Sequence, residues 1–246
     1  MGAVTRSNHR LSAVVPVKRF AHAKARLSSC LDRHERAELA RLMLLDVLDA
    51  LEQCVDLSSV LIVTADSEAA MLSARRRIHV VHQADDCGVN AALASVCNKL
   101  TETDADAGLL VVPADIPHLS VASISAAVHA VSKPRSIALA AAHADGGTNL
   151  LACRPVAALP LTFGPSSFQR HLEAAVAAGL DVTILTEPDV RLDIDRPDDL
   201  HEFLALRSNS RTHEFLARTL RRSTDLTKSL SLSEARRPDR RDLRNA

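Results

Sequence analysis

The 246-residue sequence has no tryptophan and no tyrosine, and aromatic residues make up only 2% of it. Apolar residues still reach 47%, so leucine, valine and alanine must build the core. The five cysteines, at 30, 54, 87, 97 and 153, are odd in number and include no C-x-x-C pair or other metal-ligand spacing. Cys30, Cys54 and Cys97 sit among apolar neighbours and read as small core residues. No glycine-rich loop is present, which excludes a P-loop and a dinucleotide fingerprint. Neither a Cys/His nor a Ser/His/Asp constellation is evident, so no covalent nucleophile presents itself. With no signal peptide and no long apolar span, the chain reads as cytoplasmic.

Charge is balanced overall but unevenly placed. Residues 207–246 hold 11 Lys/Arg against 5 Asp/Glu, leaving 19 against 25 in residues 1–206. A basic tail of this kind can touch nucleic acid or acidic lipid. The reading adopted is a solvated, poorly ordered extension, with no nucleic-acid or membrane partner.

Residues 1–11 are polar and read as a disordered N-terminus, and Ser12–Val17 as the first strand. Asp32 with Glu35 forms a capping-box start for a long helix through Leu39, Leu42, Leu45, Leu48 and Leu51. Val60–Thr64 and Ile78–His82 follow as strands, the first leading into a short helix at Asp66/Ser67. Asn90–Leu100 is amphipathic, and the apolar run Leu109–Val112 predicts a strand buried on both faces. Beyond it come helix 121–131, strand 136–142, strand 148–153, helix 166–178, strand 182–186 and a closing helix from Asp198 to Leu206. This alternation predicts one α/β domain over residues 12–206, with a mixed, mostly parallel sheet flanked by helices. Residues 207–246 form the tail, which holds a second copy of His201-Glu-Phe-Leu-Ala205 as His213-Glu-Phe-Leu-Ala217, suggesting a helical extension.

Five segments carry chemistry. Lys18, Arg19, Lys24 and Arg26 lie just after the first strand, either as an anion site for phosphates or as a solvated loop. Asp115, in Val111-Val-Pro-Ala-Asp-Ile-Pro-His-Leu119, follows a buried strand and reads as a catalytic or metal carboxylate, or as a helix N-cap. Asp145-Gly-Gly-Thr-Asn149 combines a flexible turn with polar groups entering a strand, or forms a plain hairpin. Phe163-Gly-Pro-Ser-Ser-Phe168 opens a helix whose N–H groups and serine hydroxyls suit an anion, or is an ordinary cap. In Leu192-Asp-Ile-Asp195, ending a predicted short strand, Asp193 and Asp195 alternate onto one face and can share a cation with Asp115. Asp198 and Asp199 serve a helix dipole, and His118 reads as structural or exposed.

These segments, in this order and spanning about residues 13–206, resemble the guanylyltransferases of coenzyme F420 biosynthesis, which activate 2-phospho-L-lactate, or phosphoenolpyruvate in many bacteria, with GTP. The pairing of DGGTN with FGPSSF is the most selective part of the resemblance. It implies a nucleotide-diphospho-sugar transferase (GT-A-like) fold and Mg²⁺ held by Asp115 and Asp195, with Asp193 as alternate. It implies that Lys18, Lys24 and Arg26 act with Asp115 in catalysis, facing the GTP phosphates. Gly88 and Asn90 would bind the nucleotide, although Val89 replaces the family's usual leucine, and Thr148, Gly164 and Ser167 would hold the phosphorylated three-carbon acid. The expected partners are GTP, that acid and a downstream F420-pathway transferase; the residues carry no signature of oligomeric state. An Ala/Arg-rich, high-GC composition favours phosphoenolpyruvate as acceptor. Two other readings stand beside this one: a cytidylyl- or sugar-phosphate transferase of the same fold, and a non-catalytic nucleotide-binding module.

Overall fold

A computed structural model describes residues 11–76, 78–84, 88–206 and 208–222. Seven strands, β1 (Leu11–Val17), β2 (Leu57–Thr64), β3 (His79–His82), β4 (Gly108–Val111), β5 (Ser136–Ala141), β6 (Thr148–Arg154) and β7 (Asp181–Ile184), form one sheet in the order β3-β2-β1-β4-β6-β5-β7. All pairings are parallel except those of β6, which runs antiparallel to both β4 and β5. Residues 142–147 are too few for a parallel crossover, so the double glycine makes a hairpin here. Gly146 takes a left-handed φ of 66° in that turn.

The helices are α1 (Arg33–Gln53), α2 (Ser67–Arg75), α3 (Val89–Thr103), α4 (Val121–Ala130), α5 (Ser167–Ala177), α6 (Pro197–Ala205) and α7 (residues 211–222). The sequence signals for α1 hold in detail: Asp32 Oδ1 accepts from the Glu35 amide and Glu35 Oε2 from the Asp32 amide, each at 2.8 Å. Leu11, Ala13, Val15 and Val17 of β1 pack with α1, α4, α6 and α7, whereas Val14 faces the layer of α3 and α5. Both faces of β1 are therefore covered, as its apolar run requires. Cys54 is buried as expected, but Cys30 and Cys97 are only half-buried.

Strand order reverses at β1, which has β2 on one side and β4 on the other. The loops after β1 and β4 consequently leave the sheet side by side, the position where open α/β sheets bind ligands. Three expectations change. Asp115 is not a helix cap, because Ser120 Oγ accepts from the Ser123 amide and caps α4. Residues 192–195 form no strand. That segment is held by single backbone bonds, Ile194 N–H to Asp115 O at 3.0 Å and His143 N–H to Arg191 O at 2.9 Å.

The third concerns the C-terminal side. The ordered body does not stop at residue 206, because α7 packs on it through buried Leu216 and Phe215. The second copy of the repeat thus continues the helical, core-facing pattern of the first. Asp46 of α1, with a side chain only 6% exposed, caps α7 from a distance of 166 residues. It accepts from the Thr212 amide at 2.9 Å and the Thr212 hydroxyl at 2.7 Å. Asp46→Ala is expected to cost about 2 kcal/mol, a lost cap plus a lost buried hydrogen bond. Arg211→Ala, which removes ion pairs to Asp46 and Asp49 from a half-exposed guanidinium but leaves the Thr212 cap bonds in place, costs less, about 1 kcal/mol or below. Urea unfolding of the two variants checks this contrast. Residues 1–10 and 223–246, predicted as disordered terminus and tail, lie outside the described residues.

Candidate active site

The loop after β1 is pinned before it reaches the site. Phe20 is buried and its amide donates to Asp66 Oδ2 at 2.9 Å, while Leu27 anchors the far end. Between these anchors Lys24 has a left-handed backbone (φ 54°, ψ 39°), which costs a non-glycine residue about 1–2 kcal/mol. Strain of this kind persists where surrounding contacts over-determine it. Here the contacts are carboxylates. The Lys24 ammonium, on a side chain 8% exposed, lies 2.6 Å from Asp115 Oδ2 and 3.8 Å from Asp195 Oδ1. The Arg26 guanidinium donates to Asp195 Oδ2 at 2.5 Å.

Asp193 completes the acidic pole. Burial and then the charge of Asp115 push its carboxyl up to about 6, and a hydrogen bond from Asn149 and the charge of Lys24 only partly oppose this. Asn149, itself buried, donates from Nδ2 to Asp193 Oδ1 at 3.2 Å and to Arg191 O at 3.0 Å. Asp199 belongs to the support: its carboxylate accepts from the amides of Asp195 and Arg196, fixing the turn that presents Asp195.

Three carboxylates beside two cations leave a surplus of negative charge, which a divalent ion would neutralise. The donors are hard oxygens, the type Mg²⁺ prefers. Among the described residues no cluster of three or more His, Cys, Asp or Glu closes on one point. Mg²⁺ here would therefore take one or two carboxylates and complete its shell with ligand oxygens, its usual pattern with phosphates.

Asp193→Asn tests the electrostatic part of this description. A carboxyl raised from 3.8 to about 6 contributes stability below its unfolded value, and that contribution is lost as pH rises through 6. The asparagine variant, without metal, is expected to be more stable than the parent above pH 6, by up to about 3 kcal/mol. The difference shrinks to nothing near pH 4, and thermal unfolding across that range measures it.

A cleft of about 540 Å³ opens at this end of the sheet, lined by Lys18, Lys24, Arg26, Gly88, Asp115, Phe163 and Asp195 among others. That volume lies within the range of nucleotide-sized ligand sites. Lys18 stands exposed at the cleft wall, and Gly88, with φ 86°, begins α3 there.

Three other predicted residues are engaged elsewhere. The Asn90 side chain clasps the backbone of Phe163, donating to its carbonyl at 3.1 Å and accepting from its amide at 2.7 Å. This clasp holds the cleft wall and leaves the carboxamide one further N–H and one further lone pair. Thr148 and Ser167 are buried, and the Ser167 hydroxyl donates to Thr148 Oγ1 at 3.0 Å. Gly164, between Phe163 and Pro165, is exposed with φ 134°, a conformation suited to glycine. Sequence reasoning missed Asn149, although it lies in a singled-out motif, and His171, which looked like one more scattered histidine. The spacing of His171 one helical turn after Ser167 was the available signal.

Comparison with known proteins agrees with this geometry. Residues 11–237 match the family described as guanylyl transferase, CofC like. The chain is 38% identical over 191 residues to a phosphoenolpyruvate guanylyltransferase of Roseiflexus castenholzii, covering 77% of this chain and 86% of that one. It is 32% identical over 205 residues to a 2-phospho-L-lactate guanylyltransferase of Methanothermobacter thermautotrophicus, covering 83% and 88%. It is 34% identical over 209 residues to a 3-phospho-D-glycerate guanylyltransferase of Phenylobacterium zucineum, covering 83% and 94%. In fold it is similar to a Desulfovibrio desulfuricans protein assigned to the nucleotide-diphospho-sugar transferases, with TM-score 0.72 at 19% identity over 86% of this chain and 96% of that one. A sheet switch point flanked by basic and acidic loops, and relatives matched over most of their length, lead to one conclusion: the chain belongs to the CofC-like guanylyl transferase family.

Proposed function

We propose that the protein transfers GMP from GTP to phosphoenolpyruvate, with 2-phospho-L-lactate as the second choice of acceptor, and releases pyrophosphate in coenzyme F420 biosynthesis. The observation that carries this reading is the cation-bridged carboxylate pair, Asp115 and Asp195 around Lys24, at the mouth of a nucleotide-sized cleft. A phosphate oxygen of the acceptor attacks the α-phosphorus of GTP, and the bond to the bridging oxygen of the β-phosphate breaks. Lys24, Arg26 and Lys18 neutralise the charge that develops on the departing pyrophosphate. Mg²⁺ on Asp115 and Asp195, when bound, supplies further charge neutralisation along the phosphates. The acceptor phosphate has its second pKa near 6 and is already ionised at neutral pH, so no general base is needed. Positioning does most of the work.

The relatives named for phosphoenolpyruvate support that choice of acceptor. Among the described residues no helix is long and apolar enough to cross a membrane, and the reaction is proposed for the cytoplasm. The test is pyrophosphate release with each of four nucleoside triphosphates and with phosphoenolpyruvate, 2-phospho-L-lactate or 3-phosphoglycerate, with Mg²⁺ present or chelated. Release with GTP and phosphoenolpyruvate, lost on chelation, is expected. Turnover with CTP or UTP instead, or GTP binding with no release, would overturn the reading.

A further inference from the structure

Asp66 is the N-cap of α2, and a cap needs only one acceptor. Asp66 Oδ1 supplies it, accepting from the Ala69 amide at 2.9 Å. Serine or asparagine caps a helix equally well, so α2 by itself gives no reason for a carboxylate. The second oxygen, Oδ2, is spent on the loop after β1, where it accepts from the Phe20 amide at 2.9 Å. Phe20 is buried, so without this acceptor its amide is left short of a partner.

The register of the sheet explains the reach. β1 and β2 are parallel, with Val17 opposite Thr64, so the two chains leave the sheet side by side. Fully buried Thr64 fixes the turn: its Oγ1 accepts from the Asp66 amide at 3.0 Å and its carbonyl from the Gln83 amide at 2.9 Å. Gln83 and Lys18 both line the cleft. One turn after β2 thus joins α2, the end of β3 and the loop that carries Lys18 and Lys24.

The two lysines depend on that turn unequally. Lys24 has its own side-chain anchor on Asp115. Lys18 is exposed and, among the described residues, pairs with no carboxylate. Its place at the cleft wall is therefore set by its backbone, held between the end of β1 and the Phe20 amide two residues on. A backbone N–H on a carboxylate is a charge-assisted bond, the stronger kind.

We propose that Asp66 is a positioning residue for the nucleotide: through the Phe20 amide it holds Lys18 where a phosphate of GTP meets it. This rests on the reading that the cleft takes GTP. In Asp66→Ser the hydroxyl keeps the cap of α2 but leaves the Phe20 amide without its acceptor, and Asp66→Ala loses both. Calorimetric titration of the whole protein with GTP and Mg²⁺, without an acceptor acid, reads the effect apart from turnover. Both variants should bind GTP about 10-fold more weakly than the parent, the scale of one hydrogen bond to a charged group. The alanine variant should also melt at a lower temperature than the serine variant, without binding GTP any more weakly. In a Lys18→Ala background, Asp66→Ser should change GTP affinity by less than about 2-fold, because a residue acting through Lys18 has nothing left to position. Three results would overturn the proposal: GTP affinity that follows melting temperature across the two variants, a serine variant that binds like the parent, or an equal loss with and without Lys18. A parent that binds GTP but releases no pyrophosphate with any phospho-acid sinks the functional reading alone. A parent that binds no GTP overturns both.

Discussion

Asp115→Asn lowers kcat/KM for guanylyl transfer by about a thousand-fold or more, while the folded protein keeps its unfolding temperature within a few degrees. The carboxylate is where the loops after β1 and β4 meet, and Lys24 reaches it at 2.6 Å. The neutral amide removes the negative charge proposed to hold Mg²⁺ and turns N–H donors toward an ammonium that has nothing to accept them. Stability changes little, because removing one acid from the surplus around Asp193 relieves like-charge repulsion. The backbone also stays in place: Ile194 N–H bonds the Asp115 carbonyl, not its side chain. Kinetics with saturating Mg²⁺, beside a melting curve of the same preparation, measure both halves. Activity within ten-fold of the parent would remove Asp115 from the chemistry.

Phe203→Ala should give the largest loss of stability, about 4 kcal/mol, from lost apolar burial plus the cavity left behind. Phe203 is fully buried in α6, His118 meets its ring edge-on at 6.5 Å, and His213 of α7 tilts onto it at 5.9 Å. His118 lies on the Asp115 loop, and α6 begins just after Asp195. The ring therefore ties the segments that carry Asp115 and Asp195 to α7. For a body of this size the unfolding midpoint should fall by roughly 10 °C. Scanning calorimetry decides it, and a fall under 3 °C would mean that the neighbours close over the void. Asp115→Asn and Phe203→Ala thus separate chemistry from support, the first costing rate and the second stability.

Much of the architecture was legible because it is encoded locally. The Asp32/Glu35 capping box, the Asp66 cap of α2 and the buried run 109–112 each depend on residues within a few positions of one another. The place of a charged site was legible because the charged residues flank apolar strands, and alternating strands and helices imply a parallel sheet whose strand ends gather such residues; the reaction class came from the resemblance of those segments to a known family. Partnership was not legible. Lys24 and Asp115 are 91 residues apart, Arg26 and Asp195 169 apart, and no local pattern reports which cation meets which acid.

The hydroxyls of Thr148 and Ser167 show the same limit. Their residue types suited a ligand, and only the packed structure reveals that each is already bonded to the other and, at Thr148, to His171. By itself the sequence determined a one-domain α/β body, the positions of its caps and turns, and the loops that carry charge, because backbone propensity and hydrophobic period act over one or two turns of chain. Only the tertiary structure decided that residues 211–222 pack on that body, that Lys24 bridges two aspartates, and that buried His171 bonds both Thr148 and the Thr162 amide. Those outcomes depend on burial and on contacts between distant segments, where desolvation makes each unpaired polar group costly and so selects its partner.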